Sequence, residues 1–197
     1  MHKQFYILIG RSGSGKGTQA ELLKSLLESK RGTVKHITTG GGFREFISED
    51  NFVAKTAREV NEVGGLQPEF LAIWNWSNIF INNVAGDTSV ILDGAPRKVY
   101  EMQALHSAIT FLKYENPVVL YVDVSEGWAK ERLLYRGRDD DKNIQDIEKR
   151  LSWFETDVLP VVDMYLRDLR YKVIHINGEQ SVDDVHKEIL VKLDAVV

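Results

Sequence analysis

The 197-residue sequence predicts an α/β fold in which about five strands form a mostly parallel sheet. Short apolar runs alternate with longer segments of helical periodicity, and these runs are rich in β-branched and aromatic residues and poor in charge, as strands covered on both faces must be. A glycine-rich segment also stands between the first run and the first helical segment. This order favours a doubly wound sheet that binds ligands beyond the carboxyl ends of its strands.

The elements are assigned by composition and by period. The predicted strands cover residues 4–9, 34–38, 88–92, 117–123 and 171–176. In the first helical segment, four leucines fall on one face, as they do in a helix packed against a core. The predicted helices cover residues 18–30, 98–114, 126–136, 144–169 and 182–193.

Two segments interrupt this alternation within what we interpret as a single domain, residues 1–197. Residues 39–83 contain roughly three helical stretches between the second and third strands, more than one crossover needs. We interpret them as an inserted, helical substrate-binding subdomain. Residues 137–143 form a short and strongly charged loop between two helices, which we interpret as a mobile lid.

Composition narrows the class of protein. The net charge is −4 and no basic arm is present, which argues against general nucleic-acid binding. The absence of cysteine excludes disulfides and thiolate zinc sites. No segment approaches the roughly 18 to 20 apolar residues of a membrane span, and the first apolar run is too short for a signal-peptide core. We expect a cytoplasmic protein without membrane or nucleic-acid partners. The four tryptophans are interpreted as packing residues.

The glycine-rich segment Gly10–Thr18 reads GRSGSGKGT and predicts a phosphate-binding loop, and with it a P-loop NTPase core. Glycines let backbone N–H groups approach a polyphosphate, the following helix N-terminus favours anions, and the lysine adds a positive charge. A chance glycine-rich turn is the alternative, and the strand–loop–helix order argues against it. The residues expected to bind ATP here are Gly13, Ser14, Gly15, Lys16, Gly17 and Thr18.

Gly17 stands where most such loops carry a hydroxyl residue, and the stretch Gly10–Gln19 resembles the loop of the adenylate kinase family. The resemblance continues in order along the chain. The further matching segments are Thr39-Gly40 with Arg44, Gly65–Pro68, Val90–Arg97, Glu131–Asp140, Ile147–Leu151 and Asn177–Val182.

This resemblance implies an ATP-dependent nucleoside monophosphate kinase with AMP as the foremost acceptor, acting with Mg²⁺ and expected to be a monomer. It implies that Asp93 holds the magnesium ion through water. It places the catalytic function on Lys16, Arg97, Arg132, Arg138 and Arg150. It adds Arg132, Arg136 and Gln180 to the ATP site. It assigns the monophosphate site to Thr39, Gly40, Arg44, Gly65, Leu66, Gln67, Gly94, Arg97, Glu101, Arg138 and Arg150.

Simple physical arguments support parts of this assignment and leave alternatives open. Arg132 and Arg136 are four residues apart and share a helix face, so with other arginines they can surround phosphates. The alternative is that they pair with nearby carboxylates on a solvated surface. Asp93 ends an apolar strand and faces the expected ligand edge, but it could instead cap the following helix.

Departures from the family pattern leave the acceptor and the catalytic strength open. Gly41 replaces the aspartate that usually follows Thr-Gly, which keeps a weakened nucleotide-binding scaffold as an alternative. Gln180 replaces a glycine beside the adenine pocket. Glu101 stands where a glutamine reads the acceptor adenine, with Gln103 close by. An ionised carboxylate can only accept hydrogen bonds, so GMP or a pyrimidine monophosphate remains the alternative acceptor.

Other kinases and GTPases with a P-loop fit less well. A shikimate- or gluconate-type kinase would share the loop but not the signatures at residues 39–68 and 93–97. A GTPase would need a guanine-reading N-K-x-D motif, which is not found in the sequence.

Overall fold

The computed structural model describes residues 3–30, 32–137 and 143–195. Within these residues, five strands form one sheet in the order β2-β3-β1-β4-β5, and every neighbouring pair is parallel. The predicted α/β class and parallel sheet are therefore confirmed. The strands, each beginning and ending within one residue of its prediction, are β1 Phe5–Ile9, β2 Val34–Thr38, β3 Ser89–Asp93, β4 Val118–Asp123 and β5 Lys172–Asn177.

Helices pack on both faces of the sheet. They are α1 Lys16–Ser29, α2 Thr39–Phe46, α3 Phe52–Glu62, α4 Glu69–Asn83, α5 Val99–Phe111, α6 Glu126–Arg136, α7 Ile144–Trp153, α8 Leu159–Arg167 and α9 Val182–Asp194. None of the helices in the described part of the chain is long and apolar enough to cross a membrane.

The central strand β1 shows how the core is divided between the two faces. Phe5, Ile7 and Ile9 belong to one buried cluster, whereas Tyr6 and Leu8 belong to the other. Successive side chains of a strand point to opposite faces, so an uninterrupted apolar run fills both layers. Each fully buried side chain of this size contributes about 1.5–3 kcal/mol relative to an exposed one.

The strand order brings the carboxyl ends of β1, β2 and β3 to one edge. Leu8 of β1 is in register with Asp93 of β3, and Asp93 is also in register with Thr38 of β2. The connections that leave these strands therefore begin next to each other, which is where open parallel sheets bind ligands.

Three helices, α2 to α4, fill the chain between β2 and β3, as the sequence predicts for residues 39–83. They share a small apolar cluster of their own, made of Phe46, Ala54, Ala57 and Leu71. The insertion is therefore packed around its own centre, while its substrate-binding function stays a prediction.

The sequence predicts one continuous helix over residues 144–169, and here the structure differs. A π-helical turn, Phe154–Val158, separates α7 from α8, and Pro160 lies in the first turn of α8. Proline has no N–H and its ring crowds the carbonyl four residues earlier, so a regular α-helix cannot pass through this point.

The predicted lid falls mostly outside the described residues. Helix α6 ends at Arg136, Gly137 follows with a φ of 67°, and Asn143 caps α7 by accepting a hydrogen bond from Gln145 N–H. Residues 138–142, which include Arg138, are not among those the structure describes.

Candidate functional site

The glycine-rich loop wraps tightly between β1 and α1, and two of its glycines are required by the backbone. Gly10 and Gly13 have φ values of 150° and 87°, and a Cβ atom on either would lie within 2.7 Å of a carbonyl oxygen, Val122 O or Ala129 O. Because Gly15, the N-cap of α1, has no side chain with which to cap the helix, the first backbone N–H groups of α1 are left for a ligand.

Lys16, the first residue of α1, is folded back over this loop. Its ammonium group donates hydrogen bonds to Gly10 O at 2.8 Å and to Arg11 O at 2.7 Å, and it lies 3.3 Å from Ser14 Oγ. Burial lowers the pKa of Lys16 to about 8, against the opposing effect of the Asp93 carboxylate. The lysine is therefore a desolvated cation placed where the phosphates of a nucleotide would lie.

Asp93 lies directly beside the loop at the end of β3. A Cβ atom on Gly17 would come 3.4 Å from Asp93 Oδ2, and the Nε2 atom of His36 is 4.0 Å from the same oxygen. The Nδ1 atom of His36 is in turn 2.7 Å from a Glu21 carboxylate oxygen. The sequence does not indicate a role for His36 or Glu21, because the histidines show no ligand spacing and only packing brings these two residues together.

At the turn after Asp93, side chains from two different connecting segments donate hydrogen bonds to one carbonyl oxygen. Thr39 Oγ1 donates a hydrogen bond to Gly94 O at 3.0 Å, and Arg97 Nε donates to the same oxygen at 2.9 Å. Gly94 has a φ of 83°, and the Ala95–Pro96 peptide bond is cis. The guanidinium of Arg97 is thus held at the start of α2, next to the phosphate-binding loop.

These elements enclose one cavity of about 1010 Å³. It extends from the glycine-rich loop to the insertion, and α6 and α7 form its far wall. Lys149 of α7 donates a hydrogen bond to Val63 O at 2.7 Å, so the far wall meets the insertion. The predicted site residues that line it are Gly13, Gly15, Lys16, Gly17, Thr18, Thr39, Gly40, Arg44, Gly65, Gln67, Asp93, Gly94, Arg97, Arg132, Arg136 and Arg150.

The chemistry of the cavity suits polyphosphate anions. Cationic side chains reach it from separate elements: Lys16 from α1, Arg44 from α2, Arg132 from α6 and Arg150 from α7. Cationic side chains outnumber the carboxylates among the lining residues, and such an excess of positive charge raises the local concentration of polyphosphates.

Comparisons with known proteins agree with this geometry. The adenylate kinase family model matches residues 8–169. The adenylate kinase of Corynebacterium urealyticum is 32% identical over 188 residues, covering 95% of this chain and 98% of its own. Adenylate kinase isoenzyme 1 of Caenorhabditis elegans is 32% identical over 194 residues, covering 96% and 87%. The chain belongs to the adenylate kinase family. It is an ATP-dependent nucleoside monophosphate kinase, a phosphotransferase whose acceptor is a phosphate group.

Some residues that the resemblance assigns to the site do not line the described cavity. They are Ser14 and Glu101, which are buried, and Leu66. Gln180 donates hydrogen bonds to Asn177 O at 2.9 Å and to a Glu188 carboxylate oxygen at 2.5 Å. Arg138 lies outside the described residues, so its assignment stays a prediction.

Glu101 lies at the third position of α5 and is only 3% exposed. Its carboxylate accepts a hydrogen bond from the backbone N–H of Arg97. A glutamate at this position commonly reaches back to the N–H groups that precede its helix, which are otherwise left without partners. Burial raises its pKa, and the hydrogen bond with Arg97 opposes the rise. In this structure the carboxylate caps a helix, and its contact with an acceptor base stays a prediction.

Two contacts of arginine side chains at the cavity were not predicted from the sequence. Trp128 and Trp153, interpreted from sequence as packing residues, both line the cavity, and the guanidinium of Arg132 lies 4.8 Å from the Trp128 ring centroid. Arg11 of the loop donates to Val124 O at 2.9 Å and pairs with Glu155. The sequence carries no signal for the Arg11–Glu155 pair, because its members are far apart in the chain. Trp128 and Arg132 are four residues apart in α6, a spacing that places both on one helix face and could have indicated their contact.

Proposed function

We propose that this protein transfers the γ-phosphoryl group of MgATP to AMP and so forms two molecules of ADP. One observation carries the proposal: the phosphate-binding loop around Lys16 and the acceptor-side residues Thr39, Arg44 and Arg97 border one continuous cavity. A single-substrate hydrolase would need only the loop, whereas a kinase must hold two anions in line within reach of each other.

Positioning and charge neutralisation account for the chemistry without a general base. The phosphate monoester of the acceptor is largely dianionic at neutral pH, since its second pKa is about 6. Lys16 and the loop N–H groups hold the transferred phosphoryl group, and Arg97 with Arg44 holds the acceptor phosphate. Arg132, Arg136, Arg138 and Arg150 neutralise the charge that is shared between donor and acceptor, because guanidinium groups bind phosphate oxygens in pairs.

The residues present fit a magnesium ion that is bound mainly by the nucleotide. Among residues 3–30, 32–137 and 143–195, no group of three His, Asp or Glu side chains forms a metal cage. Magnesium in kinases needs only one or two carboxylates, water and the phosphates of the substrate, and Asp93 supplies a carboxylate beside the loop. When bound, the ion would neutralise phosphate charge, and Asp93 would hold its water shell.

We also propose the organisation that the family pattern implies. Residues 39–83 bind the acceptor, and residues 137–143 close over the phosphates as a short lid that keeps water out. The protein works as a cytoplasmic monomer.

A specific observation supports each of two alternatives. Glu101 replaces the glutamine expected to read adenine, and a carboxylate that left its contact with Arg97 N–H to reach the base would favour GMP or a pyrimidine monophosphate as acceptor. Gly41 lacks the family carboxylate, and a Cβ atom there would lie 2.3 Å from Thr38 Oγ1, so the local packing suits glycine. That observation favours a weakened catalyst or a nucleotide-binding scaffold.

A coupled assay with MgATP and each of AMP, GMP, CMP and UMP separates these functions. We expect the highest kcat/KM with AMP. A higher kcat/KM with GMP or CMP would mean that this monophosphate, and not AMP, is the preferred acceptor. ATP binding without turnover of any monophosphate would establish the scaffold and contradict the proposal.

A further inference from the structure

Arg11, the second residue of the glycine-rich loop, is anchored outside that loop by its side chain. The guanidinium donates a hydrogen bond to Val124 O at 2.9 Å and pairs with the carboxylate of Glu155. It lies 4.1 Å from the ring centroid of Phe154, which is within the range of a cation–π contact, and 3.7 Å from a carboxylate oxygen of Asp123. Because the Arg11 side chain is only 14% exposed, these groups replace most of the water that would otherwise solvate its charge.

Two of these contacts are made by the π-helical turn Phe154–Val158, which separates α7 from α8. The turn directly follows α7, and Arg150 lies in the last turn of that helix and lines the cavity. Turns of this kind are rare and are often found at functional sites. Arg11 and Phe154 line the cavity themselves, so the contact between the loop and the π-helical turn forms part of the cavity wall.

The backbone of Arg11 contacts the lysine of the same loop. Its carbonyl oxygen accepts a hydrogen bond from Lys16 Nζ at 2.7 Å, beside the one that Gly10 O accepts at 2.8 Å. The guanidinium thus fixes a residue whose main chain surrounds the Lys16 ammonium group. One side chain therefore connects two cation-bearing elements of the cavity, the loop with Lys16 and α7 with Arg150.

We propose that Arg11 is a positioning residue, which ties the phosphate-binding loop to the π-helical turn and so sets the placement of Lys16 relative to Arg150. The proposal rests on the phosphoryl transfer of the proposed function and holds for any acceptor monophosphate. Arg11 acts through the loop and through α7, and not by touching a substrate. Phosphoryl transfer depends on the alignment of two anions, and a displacement of about 1 Å can lower its rate about a hundredfold.

The variant Arg11→Met removes the guanidinium and keeps a long apolar side chain beside Phe154. We expect kcat with MgATP and AMP to fall at least about tenfold. The Kd for ATP, measured without acceptor, should stay within about threefold of the parent, because the loop N–H groups and Lys16 remain. A kcat within about threefold of the parent would overturn the proposal. A Kd for ATP raised about tenfold at unchanged kcat would also overturn it, since Arg11 would then belong to the nucleotide site.

Glu155→Gln tests the other member of the pair with little change of shape. Glu155 is half exposed, so we expect a smaller loss, with kcat lowered about threefold and the Kd for ATP unchanged. In the double variant with Arg11→Met, kcat should equal that of Arg11→Met alone, because the second change has no contact left to remove. Losses that multiply would contradict the proposal. If Arg11→Met does not fold, Glu155→Gln decides, and an unchanged kcat in it would contradict the proposal.

The matched control is Glu148→Gln, the same change on α7. Glu148 pairs with Lys130 of α6 at 2.6 Å, and neither is among the described residues that line the cavity. Its side chain is 53% exposed, close to the 51% of Glu155, so the two substitutions remove contacts in similar surroundings. The control should leave kcat and the Kd for ATP unchanged. A loss of kcat equal to that of Glu155→Gln would assign the effect to α7 in general and overturn the proposal.

Hydrogen exchange of the protein without substrates separates this inference from the proposed function. In Arg11→Met, we expect the amides of residues 10–15 and of residues 154–158 to exchange at least about tenfold faster than in the parent. Glu148→Gln should leave both segments unchanged. Faster exchange in both segments of Arg11→Met supports the inference even if no monophosphate is phosphorylated. Unchanged exchange in either segment contradicts it even if the parent is a fast kinase.

Discussion

The carboxylate of Glu101 accepts a hydrogen bond from the backbone N–H of Arg97, four residues before it in the chain. This contact joins the first turn of α5 to the segment that presents the Arg97 guanidinium to the cavity. Burial raises the pKa of Glu101 above its usual value of 4.5. One carboxylate therefore affects both the stability of a helix terminus and the placement of the Arg97 guanidinium that lines the cavity.

Stability should depend on pH through Glu101. Because its folded-state pKa is raised, the stabilisation from the bound proton is complete below pH 4.5 and is lost as pH rises through the folded-state pKa. Glutamine cannot ionise and shows no such loss. We therefore expect the unfolding free energy of Glu101→Gln, relative to the parent, to rise from about pH 4 to pH 7 in urea titrations. A difference that stays constant with pH would contradict this.

The same variant tests whether Glu101 reads the acceptor base. With its carboxylate engaged by Arg97 N–H, we expect the ratio of kcat/KM for AMP to that for GMP to change by less than about threefold in Glu101→Gln. The measurement compares AMP, GMP, CMP and UMP in both proteins. A shift of about tenfold or more towards AMP would show that the carboxylate reaches the base after all.

The lowered pKa of Lys16 predicts a loss of activity in mild alkali. Its ammonium group loses its proton near pH 8 in the free protein, so kcat/KM for ATP should fall about tenfold per pH unit above that value. Bound phosphates favour the ammonium form, and the corresponding fall in kcat should therefore begin at higher pH. Lys16→Ala should lower kcat by more than about a hundredfold with the fold intact. A kcat/KM that stays level to about pH 9.5 would contradict this assignment.

Arg97→Ala should weaken binding of the acceptor monophosphate and leave ATP binding unchanged. We expect KM for the acceptor monophosphate to rise at least about tenfold, with the Kd for ATP, measured without acceptor, within about twofold of the parent. Lys98→Ala is the matched control, since the neighbouring Lys98 pairs with Glu69 at 3.5 Å on a partly exposed surface, where a salt bridge contributes less than about 1 kcal/mol. A collapse of ATP affinity in Arg97→Ala would mean that the two sites are reversed.

Restoring the family carboxylate at position 41 should require a second change. A Cβ atom on Gly41 would lie 2.3 Å from Thr38 Oγ1 but 3.6 Å from Thr38 Cβ. We expect Gly41→Asp to lower the free energy of unfolding by about 1–3 kcal/mol, and Thr38→Ala combined with it to recover most of the loss. Thermal unfolding of the parent, both single variants and the double variant measures the coupling. Strictly additive effects would contradict the proposed clash.

The local features of this protein could be predicted from its sequence because each depends on residues that are neighbours in the chain. The strand Phe5–Ile9 is an uninterrupted apolar run, and it was predicted to within one residue. The glycine-rich loop was predicted because left-handed backbone and the close approach of carbonyl oxygens restrict Gly10 and Gly13 to glycine. The position of Asp93 at the ligand edge could also be predicted, because the carboxyl ends of neighbouring parallel strands meet at one edge of the sheet.

Only the tertiary structure decided which polar atoms are already engaged and which remain for a ligand. The sequence places Glu101 at the family position that reads the base, yet its carboxylate accepts a hydrogen bond from Arg97 N–H. His36 meets Asp93 across the boundary of β2 and β3. Such contacts join side chains on different elements, and their geometry is determined by how the elements pack, which no period or spacing along the chain encodes.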